Sequence, residues 1–119
     1  MKFIAGGVAK TEVADTLRPL LREGDTVQVG TDMDAAALLR TGAVDYYLGT
    51  CHTGAGASLG VLVGLLGSDR IHTFGRRVPS EADVRAAVDA GKVAFGFALD
   101  QVQDVVPLLW AALDAKRQG

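Results

Sequence analysis

Asp45-Tyr46-Tyr47-Leu48-Gly49-Thr50-Cys51-His52-Thr53-Gly54-Ala55-Gly56-Ala57 is the stretch on which the reading of this chain turns. Its start, Asp45 to Leu48, is a short apolar run closed by Gly49. Thr50 to Gly56 is polar and glycine-rich, which predicts a turn. Ala57 to Leu66 then has the length of a helix and is apolar nearly all round. Such a helix must be covered on several sides, either sandwiched in the core or part of a subunit interface. Gly60 and Gly64, four apart, permit close backbone approach on one face.

The same run-then-helix unit appears on both sides of this stretch. Upstream, Lys2 to Ala5 is closed by Gly6 and Gly7. The following helix is expected to start at Thr11 as its cap and to end at Gly24, with Val13, Leu17, Leu20 and Leu21 at helical spacing. Pro19 then falls inside the helix, so either a kink or a later start is expected. Thr26 to Val29 leads to Thr31 and Asp34, a capping-box spacing, and a helix running to Gly42. Downstream, Arg70 to Phe74 precedes Ser80 and Asp83, a second cap pair, with its helix stopping at Gly91. Val93 to Phe97 precedes a last helix. There Asp104 is expected as cap, with Pro107 in the first turn and Val105, Leu108, Leu109 and Ala112 facing inward. Five run-helix units predict an α/β fold: a three-layer αβα, Rossmann-like single domain over residues 1–119 with a five-stranded parallel sheet.

Composition bounds the function. The 119 residues are 49% apolar and 22% charged with a net charge of −2, which gives no basic stripe for nucleic acid or an anionic membrane. One cysteine and two histidines exclude a disulfide framework and offer no zinc spacing, and the cysteine use suits a reducing cytoplasm. Lys2 and Lys10 bracket too short a segment for a signal sequence. The uncharged stretch Leu48 to Ser68 is long enough to span a membrane, but its turn at Thr50 to Gly56 argues against insertion.

Ligands of open parallel sheets collect at the carboxyl ends of strands, where the Cys51 turn is expected. Gly54, Ala55 and Gly56 bring backbone N–H groups to an anion, and Thr53 adds a hydroxyl. A helix start next to the turn adds the positive end of its dipole, which also lowers the pKa of a thiol there. Cys51 is otherwise a small apolar packing residue. His52 is either a ligand contact or an exposed turn residue. His72 reads as a sheet histidine with its polar needs met. Arg76 and Arg77 follow a strand end and either bind a carboxylate or phosphate or are simply solvated. Tyr46 and Tyr47 alternate faces, so one belongs to the core, and Asp32 and Asp34 read as helix-cap chemistry.

Two resemblances follow from these residues. Asp32-Met33-Asp34-Ala35-Ala36, Asp45 to Gly49, Cys51 to Ala57 and Gly91-Lys92-Val93-Ala94-Phe95-Gly96 together resemble the YhfU-like family of uncharacterised bacterial proteins over nearly the whole chain. More distantly, Val44 to Leu109 is similar in order to sugar-phosphate isomerases of the ribose-5-phosphate isomerase B type. Their Cys-Gly-Thr-Gly-x-Gly turn resembles Cys51-His52-Thr53-Gly54-Ala55-Gly56. That resemblance implies Cys51 as the group moving a proton between neighbouring carbons of an open-chain sugar, with Thr53 and the turn amides on the enediolate oxygens. The chain departs from that pattern in three places. Gly6, Gly7 and Val8 stand where the isomerases carry an Asp-His pair, no histidine lies between Pro79 and Lys92, and His52 replaces a glycine. His52 either restores a proton-transfer group beside Cys51 or obstructs the turn.

The sequence therefore leads to a small cytoplasmic protein binding an anionic metabolite, a phosphosugar or sugar acid. Cys51, Thr53 and His52 are its chemical groups, and Gly54, Ala55, Gly56, Gly6, Gly7 and Arg76 its ligand contacts. No metal, cofactor, nucleic acid or membrane insertion is expected, and a homodimer is. The rival reading is a non-catalytic binding or regulatory subunit of a metabolic enzyme or transport system. A redox-sensing thiol is a third, weakened by the lack of a second cysteine.

Overall fold

The computed structural model describes residues 1–53 and 59–119. Its strands are β1 (Lys2–Gly7), β2 (Thr26–Val29), β3 (Tyr46–Cys51), β4 (Ile71–Thr73) and β5 (Ala94–Ala98). The helices are α1 (Lys10–Leu17), α2 (Asp32–Thr41), α3 (Gly60–Leu66), α4 (Glu81–Asp89) and α5 (Val102–Gln118). All strand pairs are parallel, in the order β2-β1-β3-β5-β4. This is the expected three-layer αβα arrangement.

Alternation along the strands splits the core in two. Phe3, Ala5, Leu48, Phe95 and Phe97 face α1, α4 and α5, where Val13, Leu17, Val84, Val88, Val105 and Leu109 cover them. Ile4, Tyr47 and Ala94 face the other way, under Ala35 and Ala36 of α2 and Leu62 of α3. Tyr46 and Tyr47 thus part as expected: Tyr47 is wholly buried on the α2 side and Tyr46 packs against the opposite cluster.

Local signals fixed α2 and α4. Thr31 with Asp34, and Ser80 with Asp83, form complete capping boxes, and Gly42 closes α2 at φ +77°. Other boundaries moved. α1 has Ala9 as its cap rather than Thr11 and ends at Leu17, well short of Gly24. Pro19 has no N–H for a further α-turn, and Arg18–Leu20 tightens into a 3-10 turn. α5 begins at Val102, leaving Asp104 in the first turn and Pro107 inside the helix, because the 3-10 turn Leu99–Gln101 feeds it directly from β5. Val105, Leu109 and Ala112 face inward as expected, while Leu108 is only partly buried. β4 keeps only Ile71–Thr73, with Arg70 drawn into a preceding 3-10 turn. β5 is displaced by one residue from the expected run.

Two differences matter for the site. β3 does not stop at Gly49: its rungs continue through Gly6↔Gly49, Gly7↔Thr50 and Cys51↔Ala98, so Thr50 and Cys51 are strand residues. α3 starts at Gly60, whereas a start at Ala57 was expected, and Ala57 lies outside the described residues. Leu59 and Leu62 are buried, but Val61, Val63 and Leu65 are 40%, 42% and 45% exposed, so only one face of this apolar helix is covered. A Cβ at Gly60 or Gly64 would meet nothing within 4 Å, so no described residue uses the close approach these glycines permit. No described helix is long and apolar enough to cross a membrane.

Candidate functional site

β3 is the middle strand, and the chain turns from β1 to β2 on one side before crossing back to β3 on the other. The β1/β3 boundary is therefore a switch point, the place in an open parallel sheet where loops part and leave a crevice. Cys51 ends β3 at this edge, half-buried, and His52 and Thr53 follow it, exposed.

The β1 side of the edge is held by Thr50. Its buried hydroxyl accepts the Ala9 N–H at 2.8 Å and donates to the Gly6 carbonyl at 3.1 Å, while its carbonyl accepts the Val8 N–H at 3.1 Å. Gly7 stands at φ +85°, and a Cβ there would come within 1.9 Å of the Thr50 carbonyl oxygen. A Cβ on Gly6 would strike the Tyr47 hydroxyl, and one on Gly49 would reach the Tyr47 ring at 2.8 Å. Packing of Tyr47 and Thr50 thus accounts for both glycines at the end of β1.

Tyr47, Gly49 and Cys51 share one face of β3 by alternation. The Tyr47 ring lies along the sheet over the side-chain-free pair Gly6 and Gly49, and its hydroxyl donates to Asp32 in the first turn of α2. Burial first, and then the Asp32 bond, raises the phenol far above its ordinary pKa, so it stays protonated. The Asp32 and Asp34 pair divides its work. Asp34 completes the capping box, and the Thr31 backbone N–H holds its carboxyl below the usual range. Asp32 is instead tied to the core phenol. In the sequence the only trace of this pairing is the i, i+2, i+4 spacing of Tyr47, Gly49 and Cys51, which leaves an empty position for a ring to cross.

Arg76 lies beyond β4 in a loop fastened by Gln101, whose Nε2 donates to the Arg76 carbonyl at 3.1 Å, and its guanidinium is 3.9 Å from Asp100 beyond β5. It belongs to the same carboxyl edge, on the β5 side. Gly54, Ala55 and Gly56 lie outside the described residues. Cys51 is the last residue of β3, and the stretch expected to carry the helix entrance beside it lies outside the described residues. Among the described residues no cluster of three His, Cys, Asp or Glu side chains is arranged to hold a metal ion.

His72 sits in β4, its ring edge-on to Phe74 at 4.7 Å, and burial followed by the charge of Lys92 lowers its pKa. With Phe74, Arg77, Val78 and Lys92 it lines a cleft of about 710 Å³ between β4 and α4, away from the β1/β3 edge.

The layered fold defines the class: a doubly wound parallel α/β domain of the Rossmann-like kind. Over 92% of this chain it superposes on 83% of ribose-5-phosphate isomerase B from Clostridium thermocellum, with a TM-score of 0.67 and 19% sequence identity. Within that class the chain belongs to the family described as protein of unknown function DUF2620, which it matches over residues 1–113. It is 30% identical to the uncharacterized protein YhfU of Escherichia coli K12, and equally to that of Shigella flexneri, over 91% of this chain and 94% of theirs.

Proposed function

We propose that the carboxyl edge of β1 and β3 binds an anionic small metabolite of the sugar-phosphate or sugar-acid class, and that Cys51 moves a proton at the carbon beside the ligand's carbonyl. The observation that carries this is the position of Cys51-His52-Thr53 at the end of the central strand, at the switch point between β1 and β3. The ligand class comes from the isomerase of similar fold. In this reading the thiolate takes the C–H proton and returns it to the neighbouring carbon as the hydroxyl proton passes to the former carbonyl oxygen, while Thr53, the amides of Gly54 to Gly56 and Arg76 hold the developing oxyanion and the anionic group.

Calorimetric titration with ribose 5-phosphate and inorganic phosphate, together with solvent-deuterium exchange into ribose 5-phosphate, tests it. Cys51→Ser is expected to abolish exchange while leaving affinity within about tenfold. A second reading, a non-catalytic binding subunit, is favoured by the β1 end, where Gly6, Gly7 and Val8 supply no acid or base. It gives binding without exchange and indifference to Cys51→Ser. Absence of binding by both probes rejects both readings.

The same proposal extends to assembly. No charged residue lies between Asp45 and Asp69, and the outer side of α3 presents Val61, Val63 and Leu65. A second copy of the chain offers a matching uncharged face, and a homodimer through α3 is the assembly we propose.

A further inference from the structure

The Tyr47 and Asp32 pair does something that capping does not require. A carboxylate in the first turn of a helix is favourable wherever it points, because of the helix dipole. Asp32, however, is tied to a wholly buried phenol from the central strand. The ring reaches it only because Gly6 and Gly49, register partners in β1 and β3, leave no side chain in its way. The hydroxyl spends its proton on Asp32 Oδ1. Among the described residues Asp32 Oδ2 accepts no hydrogen bond, and the side chain is half-exposed. The edge that carries Cys51 thus also carries a carboxylate fixed through one oxygen, with acceptor capacity left on the other.

A fixed carboxylate repels an anion and cannot donate, so the partner that suits it is a neutral hydroxyl. Because one oxygen is already held, little side-chain entropy remains to be lost when the other accepts a bond. We propose that Asp32, positioned by Tyr47, is the hydroxyl-recognising residue of this edge. The ligand is then a polyhydroxylated anion that presents a hydroxyl to Asp32 and keeps its charged group away from it. This rests on the reading that the edge binds an anionic metabolite, and it adds the orientation of the ligand and the requirement for hydroxyl groups.

The test compares ribose 5-phosphate with inorganic phosphate in calorimetric titrations of the full chain, as wild type, Asp32→Asn and Tyr47→Phe, with circular dichroism as a folding control. Asp32→Asn is expected to weaken ribose 5-phosphate about tenfold or more, the usual scale for losing a hydrogen bond to a charged group, and to leave inorganic phosphate unchanged or tighter. Tyr47→Phe leaves the carboxylate in place but unanchored, so the same selective loss is expected at roughly threefold. This arm stands if Asp32→Asn fails to fold. Equal weakening of both probes in either variant, or no change in either, overturns the assignment of Asp32 while leaving anion binding intact. A folded wild type that binds neither probe overturns the underlying reading and this one with it.

Discussion

Gly7 and Thr50 are register partners in β1 and β3, and they sit so close that a Cβ on Gly7 would lie 1.9 Å from the Thr50 carbonyl oxygen. Gly7 also holds φ +85°, where an L side chain is strained by roughly 1–2 kcal/mol even in open space. Gly7→Ala is therefore expected to cost about 2 kcal/mol or more in urea denaturation, because the backbone of the β1 turn must move away from β3. A change within experimental error would mean that the two strand ends do not approach this closely.

Thr50 faces the same contact from the other side. Replacing its hydroxyl by a methyl in Thr50→Val keeps the shape but strands the Ala9 N–H, while the Gly6 carbonyl keeps its place in the β1–β3 ladder. The expected loss is about 1–3 kcal/mol, with faster amide exchange at Ala9. If Ala9 stays as protected as in the wild type, the bond to Thr50 is not what orders the turn.

Much of the fold was legible in the sequence wherever structure depends on neighbouring residues. Thr31 with Asp34 and Ser80 with Asp83 announce their helices because a cap is a contact between a side chain and a backbone three residues on. Gly49 misled for the opposite reason. Read locally it ends a strand, yet β3 continues because the Tyr47 ring fills the space the glycine leaves, across a ladder with Gly6 forty-three positions earlier. Pro107 misled as well. A proline inside a helix costs about 3 kcal/mol, but Val105, Val106 and Leu109 around it are buried, at roughly 1.5–3 kcal/mol each. Strand position and spacing point to Cys51 in the sequence, and the structure sets it at the end of β3. Asp32 looked like a second cap, since its tie to Tyr47 exists only once α2 has packed on β3.

Asp114 and His72 mark two windows of the acid stability, beside Asp25 and Asp34, whose carboxyls are also held below the usual range. Asp114 accepts from Arg22 through both oxygens at 2.9 Å and from Arg117 at 2.6 Å, and these bonds hold its pKa down to about 2. A depressed carboxyl contributes stability that is complete above its unfolded value and is lost as pH falls through its folded one, so unfolding midpoints should drop between about pH 4 and pH 2. Asp114→Asn should shrink that step, leaving the share carried by Asp25. His72 has its pKa lowered by burial and then by Lys92, so its protonation favours the unfolded chain, and a gentler loss should begin as pH falls below about 6.5. His72→Gln should remove that upper step alone. Midpoints independent of pH in either window would contradict the corresponding environment.

Self-association through α3 predicts a dimer by light scattering at micromolar concentration. Val63→Lys, on a position 42% exposed, should return a folded monomer with an unchanged far-ultraviolet spectrum. A wild type that is already monomeric would leave α3 with solvent on its outer side.

α5 is the last element of the chain, and it closes the first. Its Val105, Leu109 and Leu113 lie in one cluster with Phe3, Ala5, Val13 and Leu17, and Arg22 reaches Asp114 across ninety-two positions. A ribosome releasing this chain thus delivers β1, β2 and β3 with only α1 on the face that α4 and α5 later cover. Contacts of such separation are slow to find, and until they form one apolar face stays open to other chains. The arrangement puts much of the burden of foldability on the seventeen-residue α5, so that removing this helix should cost the protein its solubility before it costs the edge its geometry.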